Sequence, residues 1–169
     1  MHTEVDVLVI GTGPGGEGAA MRCAKGGLKV AVVDKREQVG GNCTHKGTIP
    51  SKALRHTVGQ LTSFRSSPLF GRVAHQVEIT FPKLLNTANT VIQKQTTMRR
   101  DFYLRNDVQV ETGTARFLSP HEVEVAREDG HMARFKAKHV VIATGARPYH
   151  PRNIPIHHPR VHDSDTILG

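Results

Sequence analysis

The chain has 169 residues, enough for one domain with a sizeable core. Its composition is that of an ordinary soluble globular protein, and no apolar run approaches the roughly 18 residues of a membrane span. The net charge of +8 is scattered, with Arg99-Arg100 the densest pair and few aromatic residues between, which argues against nucleic acid and for a solvated surface that favours anionic ligands.

Glu4-Val5-Asp6-Val7-Leu8-Val9-Ile10 is the apolar run of a buried parallel strand. It enters Gly11-Thr12-Gly13-Pro14-Gly15-Gly16, in which Gly11, Gly13 and Gly16 fit G-x-G-x-x-G. Gly11 allows a tight turn, Gly13 a close approach of pyrophosphate, and Gly16 close helix–strand packing. The run from Pro14 to Lys25 reads as a helix stopped by Gly26-Gly27, and its N-terminus presents N–H groups and a positive dipole to phosphates. Lys29 to Val33 reads as a second strand ending on Asp34, 23 positions after Gly11. An acidic side chain there can accept hydrogen bonds from both ribose hydroxyls, and its charge repels a 2′-phosphate. An ordinary βαβ unit with a solvated Asp34 is the alternative, and the strand–turn–helix–strand context favours dinucleotide binding over it.

Pro50-Ser51 opens the next helix, with Ser51 as its cap, running to about Leu61. Residues 63–71 read as a loop. Phe81 to about Arg105 reads as a long helix whose buried stripe is Leu84, Leu85, Ala88, Val91, Ile92, Gln95, Met98 and Phe102. Val108 to Glu111 and Gly113 to Phe117 read as strands. Glu122 to Arg127 and His131 to Ala137 flank the hairpin turn Asp129-Gly130. His139 to Ala143 reads as a separate parallel strand ending in Thr144-Gly145, and from Pro148 the chain is Pro- and His-rich and extended. The two cysteines, Cys23 and Cys43, are too few for a disulfide scaffold, and no signal peptide precedes the first strand, which argues for the cytoplasm. The 11 histidines include no pair in a ligand frame; with only the adjacent His157-His158 to consider, no metal site is expected.

Residues 40–52, Gly-Gly-Asn-Cys-Thr-His-Lys-Gly-Thr-Ile-Pro-Ser-Lys, resemble the redox loop of the flavin-dependent pyridine nucleotide–disulfide oxidoreductases. That family carries two cysteines five positions apart before Ile-Pro-Ser-Lys. Here the first is Cys43 and the second position is Thr48, so the loop cannot form a redox disulfide. This departure, together with residues 13–21, 44–56, 147–151 and 163–165, resembles the soluble pyridine nucleotide transhydrogenase branch of the family.

The resemblance implies an α/β fold: a Rossmann-like three-layer FAD/NAD(P)-binding domain with a parallel sheet and a small antiparallel β insertion. Residues 1–150 would be the N-terminal part of the FAD domain and 151–169 an exit segment towards an NAD(P)-binding domain. It implies FAD as cofactor, NAD and NADP as substrates, hydride transfer between NADPH and NAD⁺, no membrane partner, and a homodimer or larger homo-oligomer. The 169 residues are expected to be a fragment of such an enzyme, inactive alone. Cofactor contacts are expected from Gly11, Gly13, Pro14, Gly15, Gly16, Asp34, Lys35, Gly41, Asn42, Cys43 and Lys52, from Thr114 and Ala115 near the adenine, and from Ala143, Thr144 and Gly145 near the adenosine end. Lys52 and Thr48, which replaces the flavin-proximal cysteine, are the expected catalytic positions. Two alternatives are a dihydrolipoyl dehydrogenase or disulfide-reductase relative, against which Thr48 argues, and a non-catalytic dinucleotide-binding module.

Overall fold

A computed structural model describes residues 2–168. The elements are β1 (His2–Ile10), α1 (Pro14–Lys25), β2 (Val30–Asp34), α2 (Gly41–His45), α3 (Thr48–Arg65), α4 (Gly71–Gln76), α5 (Phe81–Arg105), β3 (Gln109–Thr112), β4 (Thr114–Ser119), β5 (Glu122–Ala126) and β6 (Met132–Ile142). They form two compact units: residues up to 41 with 96–146, and 42–95 with the residues from 147 on.

The first unit is a six-stranded sheet in the order β3-β2-β1-β6-β5-β4. β3, β2, β1 and β6 run parallel, while β6, β5 and β4 form an antiparallel meander. This is the Rossmann-like α/β architecture with its antiparallel insertion. Alternation along β2 sends Val30 and Val32 to one face and Ala31 and Val33 to the other. In β1 the backbone N–H groups of Asp6 and Val7 both donate to the Lys29 carbonyl. That bulge shifts the alternation, so Val5 and Leu8 share one face and Val7 and Val9 the other. One face packs on Ala20 of α1 and Tyr103 of α5. The other packs on Val123, Val125 and Phe135 of the meander, which completes the third layer. The sheet's buried carboxylates are paired, Glu111 of β3 with Arg127 and Glu124 of β5 with Arg116 and Arg134.

Several elements depart from the sequence expectation. The two strands expected at 131–137 and 139–143 are one strand, β6, which pairs antiparallel with β5 and parallel with β1. Lys138 and His139, which mark a break in the apolar pattern, are exposed positions within it. The helix expected from Pro50 begins at Thr48 after an N-cap at Gly47, and the Ser51 hydroxyl donates to the Thr48 carbonyl and caps nothing. It runs on to Arg65, into the start of the segment that reads as a loop, and α4 begins at Gly71, where that segment ends. α5 keeps its expected bounds, but its stripe is rotated. Val91 and Met98 are exposed, while Arg99 is half-buried and Tyr103 is fully buried.

The second unit is helical. Its buried side chains, among the described residues, are Thr44, Pro50, Ala74 and Ala88. The segment from residue 147 contains turns and no helix or strand among the described residues, as its prolines lead one to expect.

Candidate functional site

The β1–α1 turn lies at the carboxyl ends of the parallel strands, where ligands of open α/β sheets bind. Gly11 has φ +109°, its N–H donates to the Val33 carbonyl (2.7 Å), and a Cβ there would lie 2.3 Å from the Ala143 carbonyl oxygen. A Cβ on Gly16 would lie 1.9 Å from the Gly11 carbonyl oxygen. Both positions therefore exclude any side chain and bring helix, strand and β6 end together. Gly13 and Gly15 differ: a Cβ on either meets nothing within 4 Å. They border open space beside the first turn of α1, which has Pro14 at its start and no side-chain cap. Uncapped first-turn amides, a positive helix end and vacant room above two glycines fit a pyrophosphate.

Asp34 ends β2 beside this turn. Its Oδ2 accepts from the Thr12 N–H (2.8 Å) and the Thr12 hydroxyl (2.5 Å), and its Oδ1 accepts from the Arg36 N–H (3.1 Å). The Asp34 carbonyl accepts from Gly113 N–H (2.8 Å), which holds the start of β4 against the end of β2. Next in the chain, Thr114 is exposed and Ala115 packs against the core. Lys35 is exposed. Gly41 has φ +60°, and a Cβ there would lie 2.8 Å from the Gly13 Cα, so the 40–41 backbone passes close to the phosphate turn. Ala143 N–H donates to the Ile10 carbonyl (2.8 Å), leading into Thr144 and Gly145. The first unit thus brings together Gly11, Gly13, Gly16, Asp34, Gly41 and Ala143. It also adds Thr12, which sequence reasoning passes over; the hydroxyl at the first x of G-x-G-x-x-G is the signal that points to it.

A charged cluster flanks the first turn of α1. Arg99 Nε lies 2.9 Å from Glu17 Oε2. Beside them the Tyr103 hydroxyl is buried without a hydrogen-bond partner. Burial pushes its phenol pKa up, and the charges of Glu17 and Asp34 add to the shift.

In the second unit, Thr48 and Lys52 are exposed and stand one turn apart on α3, on the same face. Asn42 and Cys43 lie half-buried in α2. Asn42 Nδ2 donates to Asp165 Oδ2 (3.3 Å), and Lys46 Nζ approaches the same oxygen at 3.6 Å. Both cysteines are free thiols.

A wide cleft at the amino end of β1 is lined by Glu4, Asp6, Lys29, Lys136 and Lys138. Four of these charges are paired, Lys138 with Asp6 at 2.7 Å and Lys136 with Glu4 at 3.6 Å. With them paired, and the cleft at the end opposite the strands' carboxyl termini, it is the weaker candidate.

The family model described as pyridine nucleotide-disulphide oxidoreductase matches residues 5–168. The chain is 54% identical over 164 residues to the soluble pyridine nucleotide transhydrogenase of Pseudomonas putida, covering 97% of this chain and 35% of that protein. It is 52% identical over 167 residues to the protein of the same name from Hamiltonella defensa, covering 99% and 36%. The chain therefore spans about a third of the length of these curated relatives. Among solved structures it resembles the Cu(II) complex of the HOCl-induced flavoprotein disulfide reductase RclA from Escherichia coli, with TM-score 0.80 and 25% identity over 98% of this chain and 34% of that one. No helix among the described residues is long and apolar enough to cross a membrane.

Proposed function

Because the chain belongs to the pyridine nucleotide-disulphide oxidoreductase family, we propose that it is the FAD-binding part of a soluble transhydrogenase that moves hydride between NADPH and NAD⁺. FAD, when bound, supplies the hydride-accepting and hydride-donating chemistry. The N–H groups of Gly15 and Gly16 and the open faces of Gly13 and Gly15 receive its pyrophosphate. Asp34 addresses the adenosine ribose. Lys52 provides a cation that stabilises negative charge at the flavin's reacting end. The parent enzyme works in the cytoplasm as a homo-oligomer.

The observation that carries the transhydrogenase reading is Thr48. The loop keeps Cys43 and Ile49-Pro50-Ser51-Lys52 but has no second thiol, and Cys43 is free. Without a dithiol in the loop, hydride passes between nicotinamides with no disulfide relay.

The test uses the complete protein. Hydride transfer from NADPH to a thio-analogue of NAD⁺ is expected, and Cys43→Ser, once loaded with FAD, should retain it even where the variant binds FAD more weakly. Gly13→Ala should leave the melting temperature unchanged, since the added methyl meets nothing within 4 Å, yet weaken FAD binding by filling the phosphate space. Loss of transfer in FAD-loaded Cys43→Ser would point instead to thiol chemistry.

A further inference from the structure

Thr12 lies between two glycines of an open turn, yet it is fully buried. Its hydroxyl is used twice. Gly40 N–H lies 3.1 Å from Thr12 Oγ1 and can only donate, so the oxygen accepts there. The single hydroxyl proton is thereby free to go to Asp34 Oδ2 at 2.5 Å. The Thr12 backbone N–H reinforces the same Oδ2 at 2.8 Å. One side chain therefore ties the phosphate turn, the end of β2 and the 39–41 loop. The tie matters because Gly40 and Gly41 both have positive φ, a backbone free to take other paths, and a Cβ on Gly41 would lie 2.8 Å from the Gly13 Cα.

The same bonds limit Asp34. An ionised carboxylate has about four acceptor positions. Thr12 fills two on Oδ2, and the Arg36 N–H fills one on Oδ1. One position on Oδ1 is left, which is too few for two ribose hydroxyls.

We propose that Thr12 is a positioning residue for the adenosine half of the dinucleotide. It fixes the phosphate turn against the 39–41 loop and occupies Asp34 Oδ2, so that the ribose is held through one hydroxyl. This rests on the FAD reading above.

The experiment uses the complete protein with Thr12→Val, which keeps the shape and removes the hydroxyl, and Thr12→Ser, which restores it. Without flavin, the Gly40 amide should be protected from hydrogen exchange in the wild type. Thr12→Val should speed its exchange and Thr12→Ser should recover the protection. Thr12→Val should weaken FAD binding by about ten- to a hundredfold, the range for a lost hydrogen bond to a charged group, with Thr12→Ser close to wild type. In the wild type, of two FAD analogues lacking the 2′- or the 3′-hydroxyl of the adenosine ribose, only one should bind more weakly than FAD. The proposal is overturned by a Gly40 amide that exchanges at the free rate, by unchanged FAD affinity in Thr12→Val, or by equal losses from both deoxy analogues. The analogue and wild-type exchange measurements decide it even where Thr12→Val fails to fold. Absence of FAD uptake by the wild type overturns the FAD reading and this proposal together; uptake with unaltered Thr12→Val affinity overturns this one alone.

Discussion

Leu8 and Leu69 are the same side chain in opposite circumstances. Leu8 is fully buried in β1 of the first unit, and Leu69 is 80% exposed between α3 and α4 of the second. The contrast extends to their neighbours. Val9, Val32, Val33, Val123 and Phe135 are sealed on the two faces of the sheet, whereas Phe70, Val73 and Phe81 are each more than half exposed. The phosphate turn thus rests on a core complete within its own unit, and its geometry follows from packing that any sequence of this pattern must satisfy. Thr48 and Lys52 stand on a helix whose unit, among the described residues, buries no apolar side chain larger than Pro50, its other buried side chains being Ala74, Ala88 and the polar Thr44. The first unit can pre-form a binding site; the second presents functional groups whose surroundings depend on what else covers it.

The matched pair of leucines gives the largest expected difference. Leu8→Ala should cost about 2–5 kcal/mol, the range for a buried leucine whose cavity cannot fully collapse. Leu69→Ala should stay within about 0.5 kcal/mol, as an exposed substitution does. Urea unfolding of the 169-residue chain measures both, and equal losses would break the contrast.

Next in size is the ion pair behind the first turn of α1. The Arg99 and Glu17 side chains are 14% and 20% exposed. Arg99→Met leaves the mostly buried Glu17 carboxylate without that partner. A fully buried broken pair costs about 3–5 kcal/mol, and the residual exposure brings the expectation down to about 1–3 kcal/mol. Adding Glu17→Gln should recover part of the loss, and a double-mutant cycle reads the coupling.

That pair also shows what was legible in the sequence and what was not. Local pattern carries β1, α1, β2 and α5 to within a few residues, because β1 and β2 are near-continuous apolar runs and α1 and α5 are long segments bounded by clear signals. α2 and α4, with five and six residues, are too short for such a signal. The α5 stripe comes out rotated because Arg99 looks like surface until Glu17 is seen to neutralise it. With Arg99 admitted, Leu85, Ala88, Ile92, Arg99 and Tyr103 follow one helical face. At the site, the glycines are legible because each answers a backbone demand. The Thr12 bonds join residues 22 and 28 positions away, so they depend on how strands and loops meet. Likewise the shortness of aspartate is plain in the sequence, but that its carboxylate turns back onto the phosphate turn is a tertiary fact.

A smaller effect comes from Tyr103. Its buried hydroxyl lacks a hydrogen-bond partner, an unfavourable arrangement that Tyr103→Phe removes, so the variant should gain about 1 kcal/mol. The pH dependence sharpens this. The folded-state phenol pKa is raised by burial first and by Glu17 and Asp34 next. The unfolded chain therefore loses this proton first, near pH 10, roughly the ordinary tyrosine value. The stabilisation from the neutral buried form is fully present below that pH and is lost as pH rises above it. Wild-type stability should fall above about pH 10 by more than that of Tyr103→Phe, as denaturant midpoints taken across the alkaline range will show. Parallel alkaline slopes for the two proteins would place the titrating group elsewhere.

The smallest expected effect is local and belongs to the second unit, where polar side chains do the holding that a core does in the first. Asp163 accepts from His150 Nε2 (2.7 Å) and the Thr166 hydroxyl (2.9 Å), and its Oδ1 also accepts from the Asp165 and Thr166 N–H groups, both at 2.9 Å. The His150 bond first, and then that of Thr166, hold its carboxyl down at about 2. A depressed carboxyl stabilises the folded turn above its ordinary unfolded value, near about 3.9, and loses that contribution as pH falls through 2. Exchange of the Asp165 and Thr166 amides, corrected for the intrinsic rate at each pH, should therefore accelerate between these limits while the β1 and β2 amides stay protected. Asp163→Asn should bring the same acceleration at neutral pH and leave the global melting temperature unchanged, because Leu8 and its neighbours do not depend on this turn. Asp165 is also the acceptor for Asn42 Nδ2 at 3.3 Å, so loosening the turn should speed exchange at the Asn42 side-chain amide as well. A drop in global stability in Asp163→Asn would show that the second unit's polar ties support the first unit's core, and would remove the distinction between the two.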